Sequence, residues 1–258
     1  MTVISSRIRG VAFSVALIWL SGCGNGGDGI GPGEETPEPE PPPEPAVLMQ
    51  EVITIPSAAQ PAETPGTPGV VVTNPKLIEQ FGTDQIDFNN ARYVRYYLSD
   101  QAELQPDAVF IVIAGLQGGA SVLEILADQL MRRAAEQVPM RLEVWAFDRR
   151  SDQLEDRVGL NIAERDSDPS IGLDFMYGDV LGLELHPALQ EGPNRRVIQY
   201  NTSDDVPFIA NWTPLVHSQD IDAVVKTARD VARSRNVFLG GFSAGSGLVA
   251  QYAATNFN

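Results

Sequence analysis

Apolar positions in this chain fall into two patterns: short continuous runs, as in strands buried on both faces, and residues recurring every three to four positions, as in helices with one covered face. The runs are YVRYYL at 93–98, AVFIVIA at 108–114, LEVWAF at 142–147 and VFL at 237–239. The second is apolar throughout, which suits the centre of a sheet. Behind it, Ser121 and Glu124 stand at capping-box spacing, and Val122, Ile125, Leu126 and Leu130 repeat with helical period. A second helix is expected from about Ser218 to Ser234, with Ile221, Val224, Val225, Ala228 and Val231 on its inner face. The order strand, strand, helix, strand, helix, strand predicts an α/β domain whose sheet is mostly parallel and flanked by helices.

The last run leads directly into a glycine-rich turn. Gly241, Phe242, Ser243, Ala244 and Gly245 spell G-x-S-x-G, with Gly240 and Gly247 alongside and helical sequence after it. A serine at a sharp strand-to-helix turn has its hydroxyl lifted above the sheet, and flanking glycines let the chain reverse without Cβ clashes. The positive end of the following helix then points at the place where an oxyanion would form. Ser243 is the candidate nucleophile.

Over roughly residues 90 to 258 these features resemble the α/β-hydrolase fold superfamily. The motifs are the elbow GGFSAGSG, the glycine loop AGLQGG after a central strand, and VWAFDRRSDQLED after the next one. The resemblance implies that Ser243 attacks a carboxylic ester, or a related acyl bond such as an amide or thioester, of a small molecule or lipid. The backbone N–H groups of Ala244 and Leu116 would hold the oxyanion, with Gln117 as the neighbouring candidate. It implies no cofactor and no metal. Two departures bear on substrate class: Ala114 and Phe242 stand where many members carry a histidine, or in the second case a histidine or aspartate. Asp148, Arg149 and Arg150 resemble the acidic-basic turn of the family and read as structural.

The family places its acid and histidine after the nucleophile. Only 258 − 243 = 15 residues follow Ser243, none of them acidic or histidine, and His186 and His217 both precede it. The expectation is therefore a truncated α/β-hydrolase fold, the front part of a longer enzyme, with acid and histidine beyond residue 258 and an open sheet edge at the last strand. The competing reading is a non-catalytic, hydrolase-like surface lipoprotein that acts as a binding module.

The lipoprotein element comes from the other end. Arg7 and Arg9 precede the apolar stretch VAFSVALIWL at 11–20, which has signal-peptide length and is too short to span a bilayer. Leu20, Ser21, Gly22 and Cys23 then resemble the bacterial lipobox, and Cys23 is the chain's only cysteine. Cys23 is the expected lipidation site, anchoring the protein in the bacterial cell envelope. An outer membrane is favoured where one exists, because Gly24 and not aspartate follows. Residues 1–22 thus read as signal peptide, 23–68 as an acidic Gly/Pro/Glu-rich tether, and 69–258 as the hydrolase part. Segment 151–217 reads either as a cap over the site or as a surface excursion with its own small core. The net charge of −16, with Glu34, Glu35, Glu38, Glu40 and Glu44 in the tether, excludes nucleic acid as a partner. Two separated histidines and one cysteine cannot build a zinc cage.

Overall fold

In the computed structural model, residues 45–59, 74–81, 84, 87–116, 118–190 and 197–257 are described. The expected signal peptide, Cys23, much of the tether and Gln117 lie outside them. Five strands form one sheet: β1 (Leu48–Pro56), β2 (Asn90–Leu98), β3 (Ala108–Ile113), β4 (Leu142–Asp148) and β5 (Val237–Gly241). Their order is β1-β2-β4-β3-β5. β3 lies between β4 and β5 and is parallel to both, while β2 runs antiparallel to β1 and β4, so four of the five strands share one direction. The reversal of β2 has a covalent cause. The link from residue 99 to residue 107 is shorter than the dozen or so residues that a parallel crossover needs.

Alternation along the central strands divides the core into two layers. Val109, Ile111 and Ile113 face helices α5 (Pro214–Val231) and α6 (Ala244–Ala254), where they pack with Ile221, Val224, Val225 and Ala228. Val112 and Ala114 face the opposite layer, formed by α2 (Glu124–Gln137). The inner face of α2 is not the expected one. Leu123, Ala127, Met131 and Ala134 are buried, whereas Val122, Ile125 and Leu126 are exposed. Small residues at two of these four positions, Ala127 and Ala134, let the helix axis approach the sheet, which the bulkier stripe would hold off. The expected cap also differs, because Ser121 lies inside a 3₁₀ turn (Ala120–Leu123) that precedes α2 and makes no side-chain cap. α5 begins earlier than expected. Thr213 caps it, its Oγ1 accepting from Val216 N–H at 3.4 Å, and Pro214 opens the first turn where a missing N–H costs nothing. Ser218 is buried within the helix and hydrogen-bonds Thr255 at 3.2 Å.

Between β4 and α5 the chain makes α3 (Val158–Asp166) and α4 (Pro169–Leu181), which pack on each other around Ile162, Ile171, Phe175 and Leu189. This part of the segment therefore has a small core of its own. Its later part packs differently: Val206, Phe208 and Trp212 gather with Phe88 and with Leu77 of α1 (Pro75–Phe81). One buried ion pair ties these layers to the sheet. Arg150, just after β4, donates to Asp220 of α5 through Nε (2.6 Å) and Nη2 (2.9 Å), and also reaches Asn89 and Ser57 at 2.8 Å.

Candidate active site

β3 continues toward α2 on one face of the sheet, and β5 continues toward α6 on the other. Their neighbouring C-terminal ends therefore part, and such a switch point is where open α/β sheets present a ligand crevice. Ser243 sits at the end of β5, and the glycine loop starting at Gly115 sits at the end of β3. The two are in close apposition, since a Cβ added at Gly115 would stand 3.1 Å from Ser243 Cβ and 3.4 Å from Phe242 Cδ1.

The Ser243 backbone has φ 52° and ψ −121°, a region that a residue with a Cβ enters at a cost of about 1–3 kcal/mol and only when its surroundings impose it. Here the surroundings do. Phe242 N–H donates to Ile113 O (3.0 Å), Gly245 N–H to Phe242 O (2.9 Å), and Ser246 N–H to Ser243 O (3.0 Å), while Ser246 Oγ donates to Gly241 O (2.7 Å). Both flanking glycines are forced by close approach. A Cβ at Gly241 would lie 2.4 Å from the Gly245 carbonyl, and one at Gly245 would lie 2.2 Å from Ile113 O. These contacts press the first turn of α6 onto the ends of β5 and β3 and leave Ser243 exposed at the apex.

Ala244 is the first helical residue after Ser243, so its N–H has no acceptor within the helix and lies at the positive helix end. Leu116 follows Gly115 in the glycine loop and is 77% exposed. Phe242, the residue before the serine, is also exposed. Gln117 lies outside the described residues.

The glycine loop is held from β4. Asp148 Oδ1 accepts from Ala120 N–H at 2.8 Å, and its Oδ2 pairs with Arg92 at 2.8–2.9 Å. Arg149 donates through Nη2 to Gly118 O at 2.9 Å, and its guanidinium is fixed in turn by Asp152 at 3.1 Å. Burial raises the Asp152 carboxyl above the usual aspartate range, against the pull of Arg149. The turn that the sequence marks as structural thus has a specific object, the loop beside Ser243. Its signal in the sequence is an aspartate closing an otherwise apolar run, because a buried carboxylate must find donors.

Neither imidazole reaches the serine by a hydrogen bond among the described residues. His217 lies in the first turn of α5, not before the helix, and its Nδ1 is buried without a hydrogen-bond partner there. Burial lowers its pKa, opposed by Asp220 and reinforced by Arg150 and Arg149. His186 caps a 3₁₀ turn (Pro187–Leu189), with Nδ1 accepting from Ala188 N–H at 3.2 Å and Nε2 3.7 Å from Asp168. A polar cavity of about 200 Å³, lined by Arg92, Tyr96, Asp148, Glu155 and Arg157, lies behind the glycine loop and is lined by neither Ser243 nor Leu116. Among the described residues no group of three or more histidine, cysteine or acidic side chains could hold a metal ion, and no helix is long and apolar enough to cross a membrane. Strand, sharp turn and helix thus bring an exposed serine to the N-terminal end of a helix, beside a glycine-rich loop. No family model, curated protein or solved structure matches the chain.

Proposed function

We propose that this chain carries the nucleophile half of a lipid-anchored serine hydrolase that acts on a carboxylic ester. The observation that carries the reading is the Ser243 backbone, φ 52° and ψ −121°, imposed by glycine contacts at the end of a central strand. A non-glycine residue held in that region is a signature of stored strain at functional turns, and G-x-S-x-G on such a turn is the nucleophile elbow of the α/β-hydrolase fold. Three further features support it. The glycine loop meets the elbow at the switch point, helices cover both faces of a mixed sheet in which four strands share one direction, and Leu116 and Phe242, in the loop and the elbow, expose apolar side chains of the kind an acyl group would contact.

On this reading Ser243 Oγ attacks the ester carbonyl carbon as its proton passes to a histidine. The carbonyl oxygen becomes an oxyanion held by the N–H groups of Ala244 and Leu116. Collapse then expels the alcohol, which takes the proton, and water releases the acid from the acyl-enzyme by the same steps. In this fold the orienting acid and then the histidine follow the nucleophile in the chain. No cofactor takes part.

His186 caps a 3₁₀ turn and His217 is buried in α5, neither bonded to Ser243 among the described residues, which favours the second reading, a hydrolase-like lipoprotein that binds and does not turn over. One experiment separates the two. Hydrolysis of a short-chain aryl ester and labelling by a fluorophosphonate are measured on the 258-residue chain, on the reading frame continued past Asn258, and on Ser243→Ala of each. Labelling and turnover in the continued chain, lost in its Ser243→Ala variant, are the expected result. Their absence in both would leave the binding module. Serine-dependent turnover in the short chain would make His217 or His186 the base.

A further inference from the structure

We propose that Asp148 and Arg149 are positioning residues: together they clasp the Gly115–Ala120 loop and set the Leu116 N–H against the Ser243 elbow. The proposal rests on Leu116 being an oxyanion donor, as in the reading above. A glycine-rich loop is free to adopt many backbone conformations, and an oxyanion donor is useful only if it waits at the right place before the charge appears. The loop has few internal restraints, among them Gly118 N–H to Gly115 O at 3.2 Å. Its far end is fixed from outside. Asp148 Oδ1 takes the Ala120 N–H at 2.8 Å and Arg149 Nη2 gives to Gly118 O at 2.9 Å.

The two clasps are themselves restrained, so they transmit rigidity from the sheet. Asp148 is the last residue of β4 and shares its second oxygen with Arg92 of β2, opposite it in the strand register. Arg149 is gripped by Asp152 through Nε and Nη2, both at 3.1 Å, and Asp152 also accepts the Arg149 backbone N–H at 3.0 Å. Asp148, Arg149 and Asp152 are at most 11% exposed, and Arg92 is 23% exposed. Water therefore competes little for these bonds. Gly115 lies so close to the elbow that an added Cβ would stand 3.1 Å from Ser243 Cβ, while Gly118 and Ala120 are bonded to Arg149 and Asp148, so Leu116 lies next to one placed residue and shortly before two others.

The test has two arms that fail separately. Amide hydrogen exchange is followed in the wild-type chain, Asp148→Ala, Asp148→Asn and Arg149→Met, comparing segment 115–120 with strands β3 and β4. Exchange of the loop should rise about tenfold or more in Asp148→Ala and Arg149→Met, with the strands unchanged, and rise less in Asp148→Asn, which keeps an acceptor for Ala120 N–H. An unchanged loop, or an equal rise in the strands, overturns the clasp. In the second arm, fluorophosphonate labelling of Ser243 is timed in whichever chain labels as wild type. The maximal labelling rate should fall about 100-fold in Asp148→Ala at unchanged half-saturating reagent, with partial recovery in Asp148→Asn. A loss confined to half-saturation overturns the positioning role. No labelling in any wild-type chain overturns the serine reading and with it the oxyanion role, while the exchange arm still decides the clasp.

Discussion

Replacing Asp220 by alanine should be among the most damaging single changes in this protein. Arg150 and Asp220 are each 1% exposed, and the guanidinium makes two bonds to the carboxylate, at 2.6 and 2.9 Å. Without Asp220 the cation stays buried with Asn89 Oδ1 and Ser57 Oγ, both neutral, as its acceptors among the described residues. An uncompensated buried charge costs about 3–5 kcal/mol. In a chain of this size each kcal/mol moves the melting temperature by about 2–4 °C, so the expected loss is roughly 6–20 °C. Arg150→Met should cost a similar amount by stranding Asp220. The double variant Arg150→Met/Asp220→Ala removes both charges and their desolvation together, and should recover most of the loss, with a coupling of at least about 2 kcal/mol. Thermal unfolding by circular dichroism and urea midpoints for the four proteins close the cycle. Single variants within about 1 kcal/mol of wild type, or a double variant as unstable as the sum of the singles, would refute the reasoning.

Gly245→Ala should destabilise by about 1–3 kcal/mol, because its Cβ would stand 2.2 Å from Ile113 O and α6 would have to move off the sheet; an unchanged urea midpoint would sink this. The same variant should lose Ser243 labelling wherever wild type labels. His217 has a folded pKa below its ordinary value near 6.5, so the unfolded state binds the proton first. Its contribution is intact above that pH and is lost as pH falls from about 6.5 through the folded value; the melting temperature of wild type minus that of His217→Gln should decline over this window, and a flat difference would contradict it. Cys23→Ala should release the protein from membranes into the aqueous phase in detergent partitioning, whereas equal partitioning of both proteins would end the lipid-anchor proposal.

Apolar runs and helical periods were enough to place β2, β3, β4, β5, α2 and α5, because each buries a continuous apolar face that must show in the residues themselves. Ser243 was visible for a related reason: a tight turn needs glycines at fixed offsets, and that requirement is local. β1 escaped because it is a half-exposed edge strand in which Gln50, Glu51 and Thr54 interrupt any continuous apolar run, and because its neighbours are proline-rich. Which face of α2 is buried also could not be read locally. Both stripes are apolar, and the choice between Val122, Ile125 and Leu126 on one side and Leu123, Ala127 and Met131 on the other depends on how closely the sheet lets the helix approach. The roles of Asp148, Arg149 and Arg150 are of the same kind. Three adjacent charged residues look alike in a sequence, yet one holds Ala120, one Gly118 and one Asp220, from 28 to 70 positions away. Those partners meet only because the strand order β4-β3-β5 brings the end of β4 beside the loop after β3 and under the start of α5, and burial then obliges each charge to find its complement there.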